Sequence, residues 1–463
     1  MREGKPQADP TNGKDEYARD LGLTETVAIV IGRIIGSGIF RTPAPIFALV
    51  GSGSLFFGVW IFGGFVTMLG AFCVMEMVAM MPRSGGPYAF LKAAYPPVWT
   101  FLRGWAMFFV AETGAIAAVA LVFAEYSSFF LEQSSGFPLS FVNRTVLAVL
   151  LIWILTAANC FGVFLSGKFQ VVFSAAKLIA LLTIIVCGIT QNAKPEHFGI
   201  DWWPQSVGFE TFLAFFAAMR YGFFAYSGWE GATYVAEEVK NPTRNLPLSL
   251  LIGISGVMIL YMAANVSYLL QLSPAELKAS KYVAGDAMRH ALGSLGGLLI
   301  ALAVMINTFG NVGTQILVKA RTWHAMARDG MFFKPLAKLS DTYKTPNVAL
   351  IVQAFWATLL VLFASFEKNA YESVIDFFTF TASFFNVMMF GAIFILRKRF
   401  PDMHRPFRVP FYPIPVIVAC LVYATLMIAA LITAPVQSLL GVALTGTGLI
   451  YYFFLRKPEA HTV

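Results

Sequence analysis

Apolar residues occur along this chain in runs of about 20, the length at which an α-helix crosses the hydrocarbon core of a bilayer. We predict twelve membrane spans, separated by short polar segments. They cover residues 24–50, 54–81, 98–130, 141–163, 166–190, 209–239, 247–271, 295–327, 346–365, 372–396, 413–433 and 435–455. Because a helix in lipid satisfies its backbone hydrogen bonds within its own segment, the pattern predicts an all-α integral membrane protein.

Glycine interrupts two of these spans. Gly36-Ser37-Gly38 lies inside the first span, and Ser227-Gly228 lies inside the sixth. Glycine weakens a helix, and backbone groups freed in lipid are costly, so such breaks persist only beside a cavity or inside protein. Amides freed at the start of a half-helix attract an anion such as a carboxylate. Paired breaks in the two halves of a membrane protein indicate the substrate site of a transporter.

The two breaks divide the spans into two groups of five, each beginning with an interrupted span, and two further spans follow. This spacing favours a 5+5 inverted repeat, in which both broken helices lie at the middle of the membrane. The predicted units are an N-terminal tail (1–23), a first five-helix repeat (24–190), a second five-helix repeat (209–396), two additional helices (413–455) and a C-terminal tail (456–463).

The composition agrees with a membrane protein and limits its partners. Of the 463 residues, 58% are hydrophobic and 13% are charged, which leaves too much apolar surface for a soluble protein. Lysine and arginine are concentrated in alternate loops and give a net charge of +8, so we expect both termini in the cytoplasm and no nucleic-acid partner. The four cysteines fall in apolar runs, and we expect free thiols, no metal site and no cofactor.

Several motifs, in order along nearly the whole chain, resemble the amino acid–polyamine–organocation (APC) superfamily. Residues 32–40 (GRIIGSGIF) are similar to its first-span signature. Residues 224–230 (FAYSGWE), followed by 237–238 and 241–247 (NPTRNLP), resemble the L-type amino acid transporter (LAT) branch, as do residues 396–402 (LRKRFPD). The resemblance implies the LeuT-type fold, with helices 1 and 6 discontinuous, and transport of amino acids by alternating access.

The resemblance also implies how the substrate is held. Amides of the first break bind its carboxylate, carbonyl groups near Phe224, Ala225 and Ser227 take its ammonium group, and Phe224 closes over it as an aromatic gate. The predicted substrate-binding residues are Ile35, Gly36, Ser37, Gly38, Phe224, Ala225, Ser227, Gly228, Glu230 and Asn386. Packing of small residues between helices is the alternative explanation for the glycines, and hydrogen bonding between helices is the alternative for Asn386 and Asn307.

Glu230 stands where many LAT relatives have asparagine, and a carboxylate at membrane depth indicates a function. It either binds a cationic side chain of the substrate, or takes part in coupling, or pairs with Arg33 or Arg220. The first of these alternatives favours a carrier of cationic amino acids or polyamines.

Lys177 lies in the fifth span, several apolar residues from either end, so its ammonium group should face the protein interior. The resemblance implies that a lysine here stands where sodium-coupled relatives bind an ion, and that it holds the first helix to the scaffold. We assign Lys177 to gating or coupling. A fixed charge favours sodium-independent exchange, whereas release of a proton favours proton coupling.

Further charges lie near the two breaks. We predict an ion pair between Arg33 and Glu112, because both are expected within the membrane and their spans can meet. Glu237, Glu238 and Arg244 follow the sixth span, and we predict that they form a cytoplasmic charge network that latches the inward-closed state. A solvated loop edge is the alternative.

The loop between the third and fourth spans indicates whether a disulfide-linked partner chain is expected. The resemblance implies that eukaryotic light chains carry a cysteine here, which bonds a heavy chain. Residues 131–142 contain no cysteine, so we expect a stand-alone, bacterial transporter in the cytoplasmic (inner) membrane, with no disulfide-linked heavy chain.

The sequence therefore predicts a sodium-independent exchanger of neutral L-amino acids. The alternatives are a carrier of cationic amino acids or polyamines, a proton-coupled symporter and, in other classes, a channel or a substrate sensor. An enzyme is not indicated, because the sequence shows no nucleophile–base pair and no cluster of metal ligands.

Overall fold

The computed structural model describes residues 21–81, 87–162, 167–199, 201–231, 239–367 and 369–455. Within these ranges the regular structure is helical, apart from a single bridge between Leu21 and Val239. The α-helices are α1 Leu23–Ile34, α2 Gly38–Arg41, α3 Pro43–Val50, α4 Gly53–Met80, α5 Pro87–Ala94, α6 Pro97–Ala106, α7 Thr113–Ser135, α8 Phe141–Cys160, α9 Gly167–Thr190, α10 Phe209–Ala225, α11 Pro242–Gln271, α12 Pro274–Ala279, α13 Val283–Arg328, α14 Asn347–Ala364, α15 Ala370–Arg399, α16 Ile414–Thr433 and α17 Pro435–Ile450.

Among the described residues, ten helical segments are long and apolar enough to cross a membrane. They lie at the predicted spans one to four and seven to twelve. Helices α9 and α10 occupy the positions of the other two predicted spans. The chain is therefore a multi-pass, all-helical membrane protein.

The first and sixth predicted spans are each interrupted at their glycines. Helix α1 ends at Ile34, Ile35 is extended (φ −67°, ψ 94°), and α2 begins at Gly38. Helix α10 ends at Ala225, and Gly228 adopts a φ of +102°, which an L side chain rarely tolerates. In both spans the helix ends close to a glycine, the residue type that most easily adopts a non-helical backbone.

The third predicted span forms the centre of the helix assembly. It runs from α6 through a π-helical turn, Met107–Glu112, into α7 without leaving the helix. Helix α7 packs against α8, α13, α14 and α15. π-turns inside α-helices are frequent at functional sites, so this turn indicates that the third span contributes to such a site.

A buried ion pair joins α4 to α15. The Glu76 carboxylate, 1% exposed, accepts hydrogen bonds from Arg397 Nε at 2.8 Å and Nη2 at 2.7 Å. It also accepts one from the Val409 amide at 2.7 Å. A carboxylate this buried is stable only when such donors replace its water, so Glu76 has a structural role in fixing these two helices.

Candidate functional site

The two helix breaks are in direct contact. A β-carbon added to Gly38 would lie 2.5 Å from the Ala225 Cα, and one added to Gly228 would lie 2.5 Å from the Arg33 carbonyl oxygen. No other residue type fits at either position without moving backbone. Two separate stretches of the chain thus form one site.

A tyrosine from α11 bridges these stretches. The Tyr261 hydroxyl lies 3.2 Å from the Ile34 carbonyl oxygen and 3.0 Å from that of Ala225, and its side chain is fully buried. Both oxygens belong to the last residue of a half-helix, where carbonyl groups lack intrahelical partners. The single hydroxyl hydrogen of Tyr261 is shared between the two oxygens, so this residue links both broken ends.

The breaks face a cavity of about 280 Å³. Its wall includes most of the predicted substrate-binding residues: Gly36, Ser37, Gly38, Phe224, Ala225, Ser227, Gly228, Glu230 and Asn386. Ile35 is not part of the wall and is 1% exposed, so its side chain packs into the core behind the break. Phe224 packs beside Tyr371 and Phe378, with ring centroids 5.9 Å apart in each case.

The backbone groups of the two breaks differ in the hydrogen bonds that they can still form with a substrate. The Gly36 amide is directed at the Tyr261 hydroxyl, whereas the Ser37 amide donates no backbone hydrogen bond in the described part of the chain. The Phe224 carbonyl already accepts from the Ser227 amide at 3.2 Å and from its hydroxyl at 2.7 Å. The first break therefore presents amide donors, which suit an anion, although the one at Gly36 must be shared with Tyr261, and the second presents carbonyl oxygens that a cation must share.

Lys177 reaches the first break from α9. Its Nζ donates to the Gly32 carbonyl oxygen at 3.2 Å, and the residue is 7% exposed. Gly32 lies in the last turn of α1, where the helix dipole favours a positive charge. The ammonium group therefore ties the end of α1 to α9.

The predicted pairing of Arg33 with Glu112 does not form. The Glu112 carboxylate instead lies 2.7 Å from Lys319 Nζ, and no ion pair joins it to Arg33 in the ranges that the structure describes. Lys319, rather than Arg33, pairs with Glu112 because Lys319 lies on α13, which packs directly against the third span. Its ammonium group also donates to the Glu112 backbone oxygen at 2.9 Å. Arg33 and Glu112 both remain in the cavity wall.

Of the residues in the predicted cytoplasmic charge network, only Arg244 lies within the described ranges. Glu237 and Glu238 lie outside the described residues. Arg244 is exposed in the first turn of α11, and its amide bonds to the Asn241 carbonyl oxygen. Of the two partners considered for Glu230, Arg220 is paired with Asp376 at 2.9 Å.

A polar row on α13 was missed by sequence reasoning, except for its first member. Asn307 donates to the Gly36 carbonyl oxygen at 3.3 Å. Farther along the same face, Gln315 donates to Asn311 Oδ1 at 2.7 Å, and Lys319 donates to Gln315 Oε1 at 2.6 Å. The row could have been predicted from the sequence, because polar residues recur every four positions along this segment. Residues at that spacing share one helix face.

A second missed group lies beyond the first break. Arg41, 2% exposed, pairs with Glu125 at 3.0 Å and with Glu372 at 2.8 Å. Arg41 belongs to α2 and Glu372 to α15, the helix that also carries Asp376, the partner of Arg220. Helices α2 and α10 thus each bring one arginine to one acidic face of α15.

Among the described residues, no group of three or more histidine, cysteine, aspartate or glutamate side chains is arranged so that it could hold a metal ion. All four cysteines lie within the described ranges and none forms a disulfide.

Comparison with known proteins gives consistent matches. The sequence profile of the amino acid permease family matches residues 21–455. The chain is 34% identical to the human large neutral amino acids transporter small subunit 2, over 99% of this chain and 85% of that protein. It is 31% identical to the mouse b(0,+)-type amino acid transporter 1 (94% and 87% covered) and 30% identical to the human cystine/glutamate transporter (97% and 88% covered).

Proposed function

Because this chain belongs to the amino acid permease family of the APC superfamily, and is thus an amino acid transporter, we propose that it exchanges neutral L-amino acids without sodium. The proposed site is the cavity between the two breaks, and the proposed fold is the 5+5 inverted repeat. The proposed setting is the cytoplasmic membrane, with both termini inside and no disulfide-linked heavy chain.

One observation carries the proposal: amides of one helix break and carbonyl groups of the other meet at one cavity. The Gly36 and Ser37 amides suit the substrate carboxylate, because each N–H is fixed and uncharged, and the carboxylate would share the Gly36 amide with the Tyr261 hydroxyl. The carbonyl groups of Phe224 and Ala225 suit its ammonium group. A zwitterion fits this pair of ends, and its side chain then lies toward Asn386 and the polar row of α13.

Sodium independence rests on Lys177. Its ammonium group already supplies a positive charge at the end of α1, bonded to the Gly32 carbonyl oxygen. Because the Lys177 ammonium group already binds the Gly32 carbonyl oxygen, a sodium ion is not needed at this position. Transport would then depend on the substrate alone to bring the broken helices together.

Exchange follows from the same geometry. An empty carrier leaves the amides of the first break without the substrate carboxylate, so the return step without substrate should be slow. We propose that the first, second, sixth and seventh spans rock against the scaffold, with Phe224 closing over the substrate. The three remaining candidates are a carrier of cationic amino acids that uses Glu230, a polyamine carrier and a proton symporter.

Uptake into proteoliposomes tests the proposal. Radiolabelled leucine is offered in sodium-free buffer at neutral and acidic pH, with and without unlabelled leucine inside. Uptake that requires internal leucine and does not depend on pH supports exchange. Uptake into empty vesicles that rises with an imposed proton gradient would instead support symport, and competition by lysine or a polyamine that disappears in Glu230→Gln would support a cationic substrate.

A further inference from the structure

The Glu112–Lys319 pair lies in the wall of the cavity. All three hydrogen-bonding directions of the Lys319 ammonium group are occupied, by Glu112 Oε2 at 2.7 Å, the Glu112 backbone oxygen at 2.9 Å and Gln315 Oε1 at 2.6 Å. The two residues are far apart in sequence, on the third and eighth spans. The pair therefore exists only because the fold brings these helices together beside the substrate site.

The π-helical turn explains why Glu112 reaches this position. Glu112 is the last residue of the turn, and the next residue, Thr113, donates its hydroxyl to the Phe108 carbonyl oxygen at 2.6 Å. A π-turn widens the helix and disturbs the regular i→i−4 bonds around it. The Glu112 carbonyl group and its carboxylate consequently face the same ammonium group.

The pair differs from a purely structural one. The Glu76 carboxylate, in the pair with Arg397, is 1% exposed and touches no part of the cavity. The Glu112 side chain is 37% exposed and Lys319 is 14% exposed, and both line the cavity. A substrate in the cavity would therefore meet the Glu112 carboxylate directly.

We propose that the Glu112–Lys319 pair determines which charge class of substrate side chain the cavity accepts. This inference rests on the proposed function, because it concerns the same cavity. While the two charges neutralise each other, neither attracts a charged side chain, and a neutral side chain is admitted without loss of a bonded partner. Removing either member leaves the other without its bonded partner and changes the net charge of the wall, to which Arg33, Arg103 and Glu230 also contribute, by one unit.

Each single variant then has an opposite expected effect. Lys319→Gln removes the bonded partner of the Glu112 carboxylate and makes the wall more negative by one unit, so binding of lysine should rise relative to leucine. Glu112→Gln removes the bonded partner of the Lys319 ammonium group and makes the wall more positive by one unit, so binding of glutamate should rise relative to leucine. Two charges a few ångströms apart attract strongly away from bulk water, and we expect each ratio to change by at least about tenfold.

The measurement is ligand-induced thermal stabilisation of the purified full-length protein, with leucine, lysine and glutamate as probes. The double variant Glu112→Gln/Lys319→Gln leaves the net charge of the cavity wall unchanged and should retain the preference for leucine. Glu76→Gln breaks a buried pair away from the cavity and should lower stability without changing the ratios. It separates charge selection from general damage to the fold.

Several outcomes would overturn the inference. Unchanged ratios in both single variants would show that the pair only joins the two helices. An equal shift toward glutamate in Glu230→Gln would assign selection to the total cavity charge. If a single variant does not fold, a double variant that folds but prefers a charged probe also contradicts the inference. Failure of leucine exchange in the wild type would overturn the proposed function alone, because the binding ratios are measured without transport.

Discussion

Gly38 contacts Ala225 so closely that a β-carbon on Gly38 would lie 2.5 Å from the Ala225 Cα. The first residue of α2 and the last residue of α10 thus form the point where the two broken helices cross. Backbone contact of this kind transmits the movement of one half-helix to the other without intervening side chains. The two breaks are therefore expected to act as one unit.

Gly38→Ala tests this contact. The added methyl group must push α2 away from α10, and such overpacking costs about 1–3 kcal/mol. We expect exchange to fall at least about tenfold, because the cavity can no longer close around the substrate. The matched control is Gly446→Ala in α17, where a β-carbon meets nothing within 4 Å. Normal exchange by Gly38→Ala would show that the contact can loosen without loss of function.

Tyr261→Phe removes the hydroxyl that bridges Ile34 and Ala225. The two buried carbonyl groups lose the donor that they share, which costs about 1–3 kcal/mol. We expect weaker leucine binding in a thermal-shift titration and slower exchange. Tyr95→Phe removes a bond to the Met388 carbonyl oxygen at 2.9 Å, between the α5–α6 connection and α15, and should affect binding little. Equal effects of the two variants would argue against a special role for Tyr261.

Lys177→Met tests the fixed charge at the end of α1. The variant leaves the Gly32 carbonyl oxygen without its donor, so we expect loss of leucine exchange at both neutral and acidic pH in sodium-free buffer. Lys92→Met is the control, because that lysine is exposed and forms only a 3.8 Å pair with Asp329. A loss confined to a proton-driven component of uptake would instead assign Lys177 to proton coupling.

Glu372→Gln tests the group around Arg41. Arg41 would keep Glu125 and its contact with the Tyr371 ring but lose its ion pair with α15, so α2 should move away from α15 more often. The measurement is the labelling rate of S227C, in a cysteine-free background, by a membrane-impermeant thiol reagent added outside. Ser227 is exposed to the cavity, and we expect labelling to rise at least about fivefold. Unchanged labelling would show that this ion pair does not hold the outer side closed.

Glu76→Gln should reduce stability without a direct effect on the site. Removing one member of a buried pair costs about 3–5 kcal/mol, because Arg397 keeps its charge and loses its partner. We expect a clear fall in the unfolding temperature in detergent, with exchange per folded molecule retained. Asp329→Asn at the exposed pair with Lys92 should change stability by no more than about 1 kcal/mol.

Local properties of the sequence were sufficient to place the helices and the breaks. Apolar runs of membrane length fixed the spans, and glycine fixed where α1 and α10 end, because both effects depend on neighbouring residues only. Lys177 was identifiable for the same reason, since a lone charge in an apolar run must face the interior. These features identified the part of the cavity wall that the two breaks and Lys177 form.

Contacts between distant segments were decided by the tertiary structure. The sequence gives Glu112 several possible partners, and packing of α13 against the third span selects Lys319 over Arg33. The attachment of Arg41 to Glu125 and Glu372 likewise depends on where three helices meet. A sequence records the charge of each side chain, but only the packing of helices determines which opposite charge lies within reach.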